Sequence, residues 1–129
     1  MCIRDSIPSE ERFGIMSQNH CFVVPSSFAK KIKAEYKYSI PTKLPELLLS
    51  GRPVIIYGPK EMEAHRFCAD EKCGILIDHD SISSLKSKLL NLYLNYPRHK
   101  KGAINTSHKL KNKLSISDHS PRFQSFVLN

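Results

Sequence analysis

The run Val54-Ile55-Ile56-Tyr57 constrains the fold of this chain more than any other segment. It is short, mostly β-branched, and shut between Gly51-Arg52-Pro53 and Gly58-Pro59, the pattern of a strand buried on both faces. Such a strand belongs in a parallel α/β sheet with helices on either side. Just upstream, residues 38–50 read as a brief helix. Pro41 and Pro45 fit only near its start, where backbone N–H groups have no partner, and Gly51 followed by Pro53 ends it.

The N-terminus of that helix has free N–H donors and a partial positive charge. It can hold a phosphate, with the Lys43 ammonium beside it. Glu46 lies about one turn further in, where a carboxylate can accept hydrogen bonds from two vicinal hydroxyls of a ribose. The same residues also suit an ordinary capped helix in which Glu46 only favours the helix dipole.

The rest of the chain alternates helix and strand without hairpin signals. Ser9 with Glu10 and Glu11 opens a helix through Met16, and Asn19-His20 leads into a strand over Cys21 to Val24. Residues 27–38 hold Lys30, Lys31, Lys33 and Lys37 without a clean period and read as a loop with room for a short helix. Lys60 to Lys72 reads as an amphipathic helix through Met62, Ala64, Phe67, Cys68 and Ala69, and Gly74 to Asp78 as the next buried strand. Asp80-Ser81 caps a helix whose Ile82, Leu85, Leu89, Leu92 and Tyr93 recur at helical steps and are expected on the sheet, with Pro97 marking its end. Further helices are expected over 98–114 and 120–128.

The chain has 129 residues and suits one domain, and 40% hydrophobic residues are enough for a core. No apolar run approaches the length that spans a bilayer, and no secretory h-region is evident, which makes a cytoplasmic location the default. Cysteines at 2, 21, 68 and 73 form no Cys-x-x-Cys pair, and no two histidines stand at i, i+4, so neither a metal site nor a disulfide framework is indicated. His65, near the C-terminal edge of the sheet, is the histidine to watch, although a solvated helix position is the plainer expectation. The net charge of +8 concentrates in Lys30 to Lys37 and in Arg98 to Lys113. It suits a solvated helix face or peripheral contact with anionic membrane at its inner face; without a zinc-finger, RRM or KH signature, nucleic acid is not expected.

Taken together, Cys21-Phe22-Val23-Val24-Pro25-Ser26, Pro41-Thr42-Lys43 with Glu46, Gly51-Arg52-Pro53-Val54-Ile55, and Glu71-Lys72-Cys73-Gly74-Ile75-Leu76-Ile77 resemble, in order and spacing, the donor-binding half of GT-B glycosyltransferases of the retaining family-four type. The resemblance implies a parallel Rossmann-like sheet flanked by helices, forming part of the C-terminal domain of a GT-B fold. It also implies a nucleoside-diphosphate sugar as partner, a glycan or lipid-linked glycan as acceptor, and no cofactor. That family marks its donor site with two glutamates separated by seven residues. Glu46 matches the second, which holds the ribose, while the first falls at Tyr38, which is no acid. Thr42 and Lys43 are implied at the diphosphate, Tyr38 and Ser39 in the donor-sugar loop, and no catalytic residue is assigned.

Met1-Cys2-Ile3-Arg4-Asp5 is similar to one translated frame of a sequencing-library transposon end. Residues 1–6 are therefore expected to be a non-native leader and 7–129 a partial nucleotide-sugar-binding domain, inactive alone. The competing readings are a nucleotide-sugar epimerase fragment and a non-catalytic basic module that binds nucleic acid or anionic membrane.

Overall fold

The computed structural model describes residues 9–31, 37–41 and 43–113. They form α1 (Ser9–Gln18), β1 (Phe22–Pro25), α2 (Leu44–Leu49), β2 (Val54–Tyr57), α3 (Glu63–Asp70), β3 (Ile75–Ile77), α4 (Ile82–Leu94) and α5 (Tyr96–Lys113). The strands make a three-stranded parallel sheet in the order β1-β2-β3, with Val23 opposite Ile55 and Ile55 opposite Ile75. This is an α/β arrangement of the Rossmann-like kind, as the helix and strand alternation implies. The leader, Thr42 and the helix expected over 120–128 lie outside the described residues.

Each strand sends alternate side chains to opposite faces. Val24, Val54 and Ile56 point to the side where Leu44 and Leu48 of α2, Ala64 and Cys68 of α3, and Leu110 of α5 complete one core cluster. Ile55 and Ile77 point the other way and meet Leu92 of α4, with Leu85 and Tyr96 packed at the margin. Central strand β2 is thus closed on both faces, and each of Ile55 and Ile56 contributes about 2–3 kcal/mol through burial.

The short α2 ends as its sequence demands. Ser50 closes it by donating its N–H to the Leu47 carbonyl, and Gly51 follows with φ of +73°, a left-handed conformation that favours glycine. Three elements depart from expectation. Residues 60–62 form a turn, and α3 begins only at Glu63. The break between α4 and α5 lies at Asn95, with φ of −118° and ψ of 30°; Pro97 sits inside the first turn of α5, where its missing N–H costs nothing. Finally, Ile82 (71% exposed), Leu89 and Tyr93 (80% exposed) do not pack on the sheet; only Leu85 and Leu92 of the expected stripe do. The physical reason is incomplete cover, since Val23 of β1, on the same face, is itself 49% exposed.

Long-range ties hold the edge at which the strands begin. Tyr96 Oη donates to the His20 carbonyl at 2.9 Å, and Arg52 Nη2 donates to the Ser17 carbonyl at 2.9 Å. Lys109 Nζ donates to the Glu71 carbonyl at 2.9 Å and lies 3.4 Å from its carboxylate, fixing α5 to the end of α3. No described helix is long and apolar enough to cross a membrane.

Candidate functional site

Parallel strands joined by crossovers deliver all their outgoing loops to one edge, and open α/β sheets bind ligands there. The loops here are Ser26 to Phe28, Gly58 to Glu61, and Asp78 to Asp80. They are cross-linked by backbone bonds: Ser26 N–H donates to the Tyr57 carbonyl at 2.7 Å and Gly58 N–H to the Ile77 carbonyl at 3.0 Å. Phe28 meets Tyr57 edge to face at 5.3 Å, and Tyr57 Oη donates to Asp80 at 3.2 Å. Loss of solvent around the phenol, with the Asp80 carboxylate next to it, raises the Tyr57 hydroxyl above its ordinary value. Between the loops lies a cleft of about 290 Å³ bounded by Phe28, Pro59, Lys60, Glu61, Asp78 and His79. The His79 ring contacts the Asp78 carboxylate and holds it below the usual carboxylate range.

The sequence-derived candidates sit beside this edge. Glu46 is in the first turn of α2 and is buried, 8% exposed, among the least accessible carboxylates of the described residues. Lys43 precedes the helix in an αR conformation, exposed and making no side-chain cap. The amides available to a phosphate there are fewer than the sequence suggests, because Leu44 N–H already donates to the Pro41 carbonyl at 3.0 Å and Pro45 has none. Tyr38 is exposed, with the Lys37 ammonium 5.4 Å from its ring centre, and Ser39 is exposed as well. The Lys37 carbonyl accepts from Glu63 N–H at 2.9 Å, so the Tyr38 turn is moored to the start of α3. The structure thereby brings the 37–41 loop to the β2–α3 turn. Thr42 lies outside the described residues.

His65 departs from its expected solvated position. It lies on the inner side of α3 next to Ala64 and is 3% exposed, and among the described residues its Nε2 has no hydrogen-bond partner. Burial pushes its pKa below the ordinary histidine value, outweighing the opposite pull of nearby Ile77 and Ile56 carbonyls and of the Asp78 and Glu61 carboxylates. The buried imidazole is not among the residues that bound the cleft and is a packing residue of α3.

Lys60, Asp78, His79 and Asp80 were not singled out from the sequence, although a usable signal existed. Lys60 follows the Gly58-Pro59 stop, Asp78 closes the expected strand, and His79 and Asp80 come directly after it, the position that open parallel sheets place at the ligand edge. Among the described residues, no three histidine, cysteine or acidic side chains converge as metal ligands. A scan against protein-family models returned no match, and searches of curated proteins and of solved structures returned none either.

Proposed function

We propose that this chain is a donor-binding portion of a glycosyltransferase, holding a nucleoside-diphosphate sugar whose sugar passes to an acceptor hydroxyl. The observation that carries the reading is Glu46, a carboxylate buried in the first turn of a crossover helix that starts at the ligand edge of a parallel sheet. Glu46 accepts hydrogen bonds from the ribose hydroxyls, Thr42 and Lys43 face the diphosphate, and Tyr38 and Ser39 border the sugar. The resemblance of the motif series supports these roles.

In the reaction, the bond between the sugar C1 and the diphosphate oxygen breaks as the acceptor oxygen bonds to that carbon and gives its proton to the departing diphosphate. Negative charge grows on the departing diphosphate, so a cation such as Lys43 placed beside it favours the transition state over the bound donor. The assigned residues bind the donor and none is given a proton-transfer role. The expectation for this chain alone is binding without turnover.

Calorimetric titration with a panel of nucleoside diphosphates tests the proposal. One member should bind, and Glu46→Gln should weaken it by about 1–3 kcal/mol, the worth of a charge-assisted pair. Binding that Glu46→Gln leaves unchanged, and that falls steeply with salt, would instead be adhesion to a basic surface.

A further inference from the structure

The opposite edge of the sheet carries a larger groove. It is about 480 Å³ in volume, within the range of small-molecule sites, and lies where β2 and β3 begin and α4 turns into α5. Arg52, Lys72 and Arg98 line it, with Asn91 and Thr106 as neutral donors, and no carboxylate is among its lining residues. A contiguous cleft continues along the outer side of β3 past Ser87 to Lys88. None of the ion pairs among the described residues engages Arg52, Lys72 or Arg98.

Like charges brought together around a concavity repel one another and raise the local concentration of anions. Lys72 stands at the groove's rim in an uncommon backbone conformation. It follows α3 with φ of +53°, a left-handed conformation at a helix end where glycine is the ordinary residue. A lysine there forgoes backbone ease and places an ammonium at the rim.

We propose that this groove is a second ligand site, taking a compact phosphate-bearing anion, separate from the edge that carries Glu46. Arg98 presents a planar fork suited to phosphate oxygens, Arg52 offers the guanidinium N–H groups left after Nη2 donates to the Ser17 carbonyl, and Lys72 supplies a point charge. The same chemistry is offered by a soluble phosphorylated metabolite and by a phosphomonoester lipid headgroup.

Pyrophosphate titration of the whole chain, followed by calorimetry, reads the site, with sedimentation of vesicles containing phosphatidic acid as the second arm. Saturable binding of pyrophosphate without vesicle capture identifies a soluble ligand; vesicle capture that pyrophosphate competes away identifies a headgroup. Either outcome supports the site. Two substitutions separate it from diffuse charge without threatening the fold. Lys72→Gly removes the charge and relaxes the backbone, so it should raise Tm while weakening pyrophosphate about tenfold, as expected for one charge-assisted contact. Gly102 lines the groove inside α5, and a Cβ added there meets no atom within 4 Å. Gly102→Glu should abolish binding, whereas Gly102→Ala should keep it. The proposal is overturned if pyrophosphate does not saturate, or if Lys111→Gln, on an exposed cation outside the groove, weakens binding as much as Lys72→Gly.

Discussion

Gly58 and Ser26 approach so closely that a Cβ on Gly58 would lie 2.7 Å from the Ser26 Cβ, a separation that side-chain rotation cannot relieve. The contact sets how tightly the loops after β1 and β2 are drawn together at the ligand edge. Gly58→Ala should therefore cost about 1–3 kcal/mol through overpacking. Urea unfolding checks this, and an unchanged midpoint would show that the two loops are not held in register by this contact.

Leu110 is buried on α5 and completes the cluster formed by Leu44 and Leu48 of α2. Because α2 has only six residues, it lacks the length to stand alone and depends on this packing. Leu110→Ala should destabilise the chain by about 2–5 kcal/mol. Amide exchange should accelerate first in α2, around Glu46; uniform acceleration across the sheet would place the anchor elsewhere.

His65 makes stability depend on pH. Its folded-state pKa lies below the ordinary value of 6.5, so above that pH it is neutral in both states and contributes no slope. As pH falls through 6.5 toward the folded value, the unfolded chain takes up a proton that the folded chain refuses. Stability then drops by up to about 1.4 kcal/mol per pH unit. His65→Met, which fills the site without a titrating group, should flatten this slope between neutral and mildly acidic pH in thermal melts. A slope that persists in the variant would have to come from another group.

The thiols of Cys68 and Cys73 interact with each other at the end of α3, which pushes Cys68 strongly up and Cys73 down. Cys68 is fully buried, whereas Cys21 is only half-buried. Alkylation of the folded chain at mildly alkaline pH should label Cys21 before Cys68, as read by peptide mass mapping. Early labelling of Cys68 would mean that α3 opens locally.

The sheet was legible because β2 carries its own evidence, a β-branched run with Gly and Pro at both ends, and burial on both faces leaves such a run few alternatives. The α4 stripe misled for a definite reason. Helical periodicity reports which side chains could share a face, not whether a neighbour covers it, and Ile82 and Tyr93 face open space. The expected solvated position of His65 fails because its place beside Ala64 and one turn from Cys68 puts it on the inner side of α3. The groove of Arg52, Lys72 and Arg98 was invisible in sequence, since these residues are far apart along the chain and only the folding of α5 back onto the sheet edge joins them. Glu46 was visible because Pro41, Pro45 and Gly51 bound a short helix that sets its carboxylate about one turn inside, whereas its burial depends on packing that the sequence does not display.

The most direct measurement is a two-dimensional NMR titration of the isotope-labelled chain with nucleoside-diphosphate sugars, following backbone amides at both edges of the sheet. One donor should shift the amides of Lys43, Leu44, Glu46 and Leu47, together with those of Lys60 and Asp78 to Asp80, and Glu46→Gln should suppress those shifts. Shifts confined to Arg52, Lys72 and Arg98, or no shift with any donor at millimolar concentration, would contradict a donor site at the Glu46 edge.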